Sequence, residues 1–102
     1  IFDTETTGLP QNWKAPLTDF NNWPRCVQLA WQVHDVEGKL VEVKNYIIKP
    51  EGYDIPFNAE KIHGISTDRA NKQGMPLVEV LAEFVKDVQK CKFVIGHNVS
   101  FD

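Results

Sequence analysis

The sequence predicts an α/β domain built on a mixed β-sheet with strand order 3-2-1-4. Three observations carry this prediction: a short strand-like run at 1–5 that opens with two apolar residues, an alternating run at 25–35 followed by a second run at 40–48, and an amphipathic stretch that leads into an apolar run at 93–96. In the order β-β-β-α-β, a right-handed crossover through the helix sets the first and fourth strands side by side.

The first half of the chain is predicted to form three strands and one long loop. The first strand, Ile1 to Glu5, is broken by the glycine and proline that follow it. The stretch from Pro10 to Pro24 has no periodicity and is interpreted as an ordered loop. Arg25 to Asp35 and Leu40 to Ile48 are separated by the turn Glu37-Gly38, and the alternation of the first of these runs predicts an antiparallel hairpin. Trp31 falls on the apolar face of that hairpin and is expected in the core.

The second half is predicted to be mainly helical. A loop from Pro50 to Pro56 precedes a short helical turn, Asn58 to His63, which Gly64 ends. The main helix has Pro76 in its first turn, where a missing N–H costs nothing. Its apolar residues recur at helical spacing and predict packing on a sheet; they are Leu77, Leu81, Phe84, Val85 and Val88.

The last segment is predicted to return to the sheet. Phe93 to Gly96 is apolar throughout, as expected for a strand that is covered on both faces. Asn98 to Asp102 is expected to begin another helix. The fourth strand would then deliver Asp102 to the neighbourhood of the first strand.

Composition indicates one domain of a cytoplasmic protein. The chain has 102 residues, of which 42% are hydrophobic, and it contains no apolar run long enough to cross a membrane and no export signal. Cys26 and Cys91 lack the spacing of metal ligands and are interpreted as small buried thiols. The net charge of −3 lacks the basic footprint of most nucleic-acid binders. Two bound divalent ions would shift it to roughly +1. No Lys/Arg cluster appears along the chain, so we expect any binding of nucleic acid to be weak and confined to a few terminal nucleotides.

Acidic residues stand at both ends of the chain. Asp3 and Glu5 are two residues apart in a predicted strand, so both carboxylates should point to one face. Two neighbouring anions require a cation, and hard oxygen ligands favour Mg²⁺ or Mn²⁺. If Asp102 joins them, two ions can lie about 3.5–4 Å apart, the usual geometry for phosphoryl displacement.

The motifs resemble those of one nuclease family. Asp3-Thr4-Glu5-Thr6-Thr7-Gly8 resembles the first exonuclease motif of the DEDD 3′–5′ exonucleases, and His97-Asn98-Val99-Ser100-Phe101-Asp102 resembles the second. Ile62-His63-Gly64-Ile65-Ser66 resembles the His-Gly-Ile signature of the group similar to the proofreading epsilon subunit of bacterial DNA polymerase III. The resemblance implies a ribonuclease-H-like fold and hydrolysis of single-stranded DNA from its 3′ end by two Mg²⁺ or Mn²⁺ ions. A DNA polymerase subunit is then an expected partner.

The resemblance also implies residue roles. Asp3, Glu5 and Asp102 would be the catalytic metal ligands, whereas His97 is interpreted as structural. Backbone amides around Thr6 and Thr7 would meet the terminal 3′ hydroxyl. The full set of predicted substrate contacts is Thr6, Thr7, Gly8, Leu9 as a wedge between bases, His63, Asn98 at the sugar-phosphate and Phe101 as an apolar wall.

A third motif, with a fourth acid and a His or Tyr general base, lies further along the chain in this family. We therefore expect residues 1–102 to be the N-terminal and central part of a single exonuclease domain without its fifth strand and last helix, and to be inactive alone. Two alternatives remain open: an exonuclease acting on RNA or oligoribonucleotides, and a non-catalytic module that binds nucleic acid or a polymerase. The roles of Trp13 and Trp23 are also open.

Overall fold

A computed structural model describes all 102 residues as three strands followed by three helices. The elements are β1 (Phe2–Thr6), β2 (Cys26–His34), β3 (Leu40–Ile47), α1 (Phe57–His63), α2 (Thr67–Gln73) and α3 (Leu77–Gln89). The strands form one antiparallel sheet in which β2 lies between β1 and β3. None of the helices is long and apolar enough to cross a membrane.

The predicted hairpin is confirmed. β2 and β3 pair from Gln28 opposite Ile47 to His34 opposite Leu40, with an irregularity at the end near the turn. The Asp35 carboxylate closes that turn by accepting the amides of Glu37 and Lys39, both at 2.9 Å. The alternation along β2 buries Val27, Leu29 and Trp31 on one side, because successive side chains of a strand point to opposite faces.

Helix α3 packs its apolar side against the sheet, but its buried face differs from the predicted one. Val80 is fully buried against Leu29 and Trp31, whereas Leu81 and Val85 are 41% and 50% exposed. The predicted stripe was therefore wrong in part. The buried side of the helix includes Asp87, one turn after Phe84. Its carboxylate accepts the indole N–H of Trp31, so this side of the helix faces the sheet.

Helices α1 and α2 form a second small core with the start of β2. Val27, Ile55, Ala59, Ile65 and Ala70 are buried together. α1 ends as predicted at Gly64, whose φ of 75° is the left-handed conformation that favours glycine. α2 was not predicted, although Ser66 is a standard capping residue that accepts the Arg69 amide at 3.0 Å.

The predicted fourth strand is not formed, so the order 3-2-1-4 is not confirmed. The segment 93–96 lies beside the free edge of β1, but one backbone hydrogen bond joins them, from the Phe2 amide to the Ile95 carbonyl at 2.9 Å. Phe93, Val94 and Ile95 are 81%, 46% and 56% exposed, contrary to the expected burial on both faces. A strand requires a repeating ladder of backbone hydrogen bonds, which this single bond does not provide.

Residues 98–102 form a single hydrogen-bonded turn, and whether it begins a helix stays a prediction. The amides of Phe101 and Asp102 both donate to the Asn98 carbonyl at 3.0 Å.

Of the two cysteines, which are unpaired, Cys26 is half-buried. Cys91 is exposed, so its interpretation as a buried thiol was wrong. It lies two residues after the end of α3, beyond the part of the helix that packs on the sheet.

Candidate active site

Asp3 and Glu5 lie on the face of the sheet that points away from α3, which we call the outer face. β1 pairs regularly with β2 from Phe2 to Glu5, so its side chains alternate between the two faces. Asp3 stands opposite Ala30, and Glu5 opposite Gln28. Asp3 is exposed and Glu5 is half-buried. Neither carboxylate has a hydrogen bond or an ion pair within the chain, so both are free to bind a ligand.

Asp102 is brought to the same strand but to its other face. The Thr4 hydroxyl donates a hydrogen bond to the Asp102 carboxylate at 2.6 Å. Thr4 shares its face with Phe2, whose ring lies 5.4 Å from that of Phe84 in α3. The C-terminal turn therefore approaches β1 from the α3 side, and Asp102 lies across the sheet from Asp3. Sequence reasoning missed Thr4, although its position between the two acids put it on the opposite face.

The three acids do not form one ligand set as the structure places them. No group of three or more His, Cys, Asp or Glu side chains is arranged to hold a metal ion. Asp3 and Glu5 supply the hard oxygen donors that a divalent ion prefers, from one face of one strand. Their chemistry fits such an ion, whereas the expected convergence of Asp102 with them is not observed because Thr4 holds its carboxylate on the α3 side.

The turn that follows β1 is closed by its own hydroxyls. The Thr6 hydroxyl donates to the Gly8 carbonyl at 2.7 Å. The Thr7 amide donates to the Arg25 carbonyl, and the Arg25 amide donates to the Thr7 hydroxyl, both at 2.9 Å. The Thr7 amide was expected to meet the terminal 3′ hydroxyl of a substrate, but it is already bonded. Leu9 is 71% exposed at the end of this turn.

The loop from 10 to 24 is tied together by side-chain hydrogen bonds, and it contacts the C-terminal turn. Asn22 is buried, and it exchanges two hydrogen bonds with the backbone of Asn12, at 2.7 and 2.9 Å. Trp13 is 51% exposed, and its ring lies 5.6 Å from the ring of Phe101. Trp23 is half-buried and donates its indole N–H to the Pro16 carbonyl at 2.9 Å.

A cleft of about 360 Å³ opens on the α3 side of β1. Its lining includes Thr4, Cys26, Phe101 and Asp102, together with apolar side chains of α3. Burial raises the pKa of the Cys26 thiol to about 11, and the nearby Asp102 carboxylate adds to the effect. This thiol is therefore protonated and unreactive near neutral pH.

The other predicted site residues are separate from these features or make local contacts. The Nδ1 atom of His63 accepts the Ile65 amide at 3.1 Å at the end of α1, while its Nε2 is buried without a partner. His63 therefore caps the turn at the end of α1, and its contact with a substrate stays a prediction. Asn98 uses its carbonyl to close the C-terminal turn, and His97 is exposed.

The fold is shared with solved nuclease structures. Exonuclease I from E. coli, in a complex with a dT13 oligonucleotide, aligns with 83% of this chain at a TM-score of 0.64 and 23% identity. Cell-death related nuclease 4 (CRN-4) aligns with 91% of the chain at a TM-score of 0.60 and 20% identity. No protein-family model and no curated protein matches the sequence.

These likenesses concern the fold and part of each relative. The chain spans 17% of the length of exonuclease I and 30% of that of CRN-4. The predicted α/β class, with its likeness to an exonuclease fold, is confirmed at this level. Exonuclease I has also been solved in complex with SSB-Ct.

Proposed function

We propose that this chain carries the catalytic acids of a metal-dependent 3′–5′ exonuclease that acts on single-stranded DNA. One observation carries the proposal: Asp3 and Glu5 stand without partners on one face of β1, in a fold shared with exonuclease I. An unpartnered carboxylate pair gains nothing from its position within the fold, and a bound cation would relieve its repulsion.

In this proposal Asp3 and Glu5 hold the divalent ions, Mg²⁺ or Mn²⁺, and Asp102 joins them when the C-terminal turn leaves Thr4 and moves from the α3 side of β1 to its outer face. When bound, such ions lower the pKa of a water and stabilise the leaving oxygen of a phosphodiester. Apolar side chains of the protein would position the 3′ end of the DNA. Leu9 and the pair formed by Trp13 and Phe101 are exposed or half-buried, as contacts with nucleobases require.

Single-stranded DNA is the proposed substrate because a related fold holds such an oligonucleotide in exonuclease I. RNA differs by its 2′ hydroxyl, and no residue of the site distinguishes the two. Partnership with a polymerase subunit and a proofreading role remain predictions from the motif resemblance.

The test is digestion of matched DNA and RNA oligonucleotides, labelled at the 5′ end, by the full-length protein with Mg²⁺ or Mn²⁺. We expect a ladder that shortens from the 3′ end and releases nucleoside monophosphates. Asp3→Asn should lower the rate by several orders of magnitude because the ligand acts in the chemical step. Asp54→Asn, which changes another exposed acid without a side-chain partner, is the control and should retain the activity. Equal activity of both variants would place the site elsewhere.

A non-catalytic module that binds nucleic acid is the second candidate, favoured by the position of Asp102 on the α3 side of β1. It predicts that the oligonucleotide binds and is never shortened. Turnover that depends on Asp3 excludes this candidate.

A further inference from the structure

A second cleft lies beside the turn that follows β1, and its rim is basic and aromatic. It has a volume of about 290 Å³, and we call it the Arg25–Tyr53 cleft. Arg25, Lys49, Glu51 and Tyr53 form its polar part, and its remaining lining is mainly apolar side chains of α3. None of these four residues was singled out by the sequence motifs.

Arg25 is positioned with most of its hydrogen-bonding capacity unused. Its guanidinium carbon lies 4.4 Å from the centre of the Tyr53 ring, and one N–H reaches the Glu51 carbonyl at 3.4 Å. Tyr53 is in turn fixed by its hydroxyl, which donates to the Cys26 carbonyl at 3.0 Å. A guanidinium has five N–H donors, so four remain for a ligand. The contact with the Tyr53 ring holds the guanidinium at the cleft, where its planar fork of donors can make a bidentate contact with a phosphate.

The backbone of Arg25 connects this cleft to the candidate active site. Its amide and carbonyl are both bonded to Thr7, each at 2.9 Å. Thr7 belongs to the turn that directly follows Asp3 and Glu5. The cleft lies on the α3 side of the sheet, so a nucleic-acid strand that ends at Asp3 on the outer face would pass over this turn to place a later phosphate at Arg25.

The charges of the cleft favour an anion although the chain as a whole carries −3. Arg25 and Lys49 are two cations beside a single carboxylate, that of Glu51. Neither cation forms an ion pair, since the ion pairs of the chain involve only Lys44 and Lys72. A cationic groove with an aromatic ring is the combination by which proteins bind single strands without sequence preference.

We propose that the Arg25–Tyr53 cleft binds the sugar-phosphate backbone of a single-stranded polynucleotide, with a phosphate on the Arg25 guanidinium. The polarity of that strand, with its 3′ end toward Asp3, rests on the proposed function. The binding itself does not.

The experiment measures binding of a fluorescein-labelled oligo-dT to the full-length protein by anisotropy, over a series of salt concentrations and with EDTA to prevent cleavage. Arg25→Gln should weaken binding about tenfold. It should also lower the slope of log affinity against log salt by about 0.7, the value for one phosphate contact on a single strand. Arg25→Lys, which keeps the charge and loses the fork, should give an intermediate affinity and an unchanged slope.

Arg69→Gln is the matched control. It removes the same charge from an exposed position on α2, where the guanidinium is bonded to Gln73 at 3.1 Å. Affinity and salt slope should remain those of the wild type. Circular dichroism of each variant verifies that it is folded, and Arg25→Lys tests the cleft if Arg25→Gln is not.

Three results would overturn the proposal: no binding by the wild type, an unchanged affinity in both Arg25 variants, or equal losses in Arg25→Gln and Arg69→Gln. The outcomes separate it from the proposed function. If binding depends on Arg25 but the oligonucleotide is never shortened, the cleft proposal is supported and the exonuclease proposal is rejected. If cleavage depends on Asp3 and binding does not depend on Arg25, only the cleft proposal is rejected.

Discussion

Asp87 and Asp3 are two acids at the same sheet that the fold treats in opposite ways. Asp87 is 5% exposed between α3 and the sheet, where the Trp31 indole N–H donates to its carboxylate at 2.8 Å and the Lys44 ammonium lies at 3.3 Å. Asp3 is exposed on the outer face and has no partner. The first acid is used by the fold itself. The second contributes little to the fold and is available to a ligand, since exposed charges are worth little to stability.

The electrostatics of Asp87 follow from its partners. The Trp31 hydrogen bond is the main cause that lowers the pKa of this carboxyl, and Lys44 adds to it against the cost of burial. The charged form is thus the form that the fold stabilises. In the number of its partners Asp102 lies between Asp3 and Asp87, because its carboxylate accepts a single hydrogen bond, from Thr4. One such bond is worth about 1 kcal/mol, which a bound metal ion can exceed, but Asp102 must also move with the C-terminal turn to the outer face of β1.

The largest expected effect concerns metal binding and tests whether the unpartnered acids are the ligands. We expect Asp3→Asn to weaken Mn²⁺ binding, measured by calorimetric titration, by more than the roughly 10–100-fold that loss of an outer-shell partner costs. Asp102→Asn should weaken it less, because this carboxylate must first leave Thr4. Both variants should remain folded.

If Asp102→Asn weakened Mn²⁺ binding more than Asp3→Asn, Asp102 would be the principal ligand and Asp3 only a surface charge. That result would contradict the comparison of Asp3 with Asp87. The variant Thr4→Val tests the role of Asp102 separately, because it removes the hydroxyl that is bonded to the Asp102 carboxylate. If Asp102 is a third ligand, Mn²⁺ should bind this variant more tightly than the wild type.

Sequence patterns predicted the parts of the fold that depend on local periodicity. The alternation along β2 predicted its buried face, and Gly64 predicted the end of α1, because each depends on backbone geometry within a few residues. The shared face of Asp3 and Glu5 follows from the same period of two. Their use as ligands is a chemical inference that the fold does not test.

The parts that failed depend on contacts between distant residues. From its position in the sequence, Asp87 is expected on the polar side of an amphipathic helix. A buried Trp31 indole needs a hydrogen-bond acceptor, and this need is the only signal that could have indicated the burial of Asp87. The segment 93–96 reads as a strand, but a ladder requires a partner over several residues. The side from which Asp102 reaches β1 is decided by how the C-terminal turn docks, which no periodicity encodes.

A smaller effect is expected in stability and tests the other half of the comparison. Asp87→Ala should lower the free energy of unfolding by about 2 kcal/mol, because it leaves the buried Trp31 N–H without its acceptor and removes one of the two carboxylates paired with Lys44. Urea unfolding measures the change. Asp68→Ala is the control: its carboxylate pairs with Lys72 at 3.1 Å, but its side chain is 77% exposed, so the loss should stay below about 0.5 kcal/mol. Equal losses in the two variants would show that burial of Asp87 contributes nothing.

The smallest expected effect is the pH dependence of that same stabilisation. Because the pKa of Asp87 is lower in the folded state than in the unfolded chain, the unfolded chain takes up the proton first as pH falls. The stabilisation is therefore complete above the unfolded pKa of about 4, and it is lost as pH falls below that value toward the folded pKa. The difference in unfolding free energy between the wild type and Asp87→Asn, measured in urea, should be constant from about pH 8 to 5 and should shrink below about pH 4. A difference that stays constant down to about pH 2.5 would mean that the ionised carboxylate is not what Trp31 and Lys44 stabilise, and the contrast with Asp3 would then rest on packing alone.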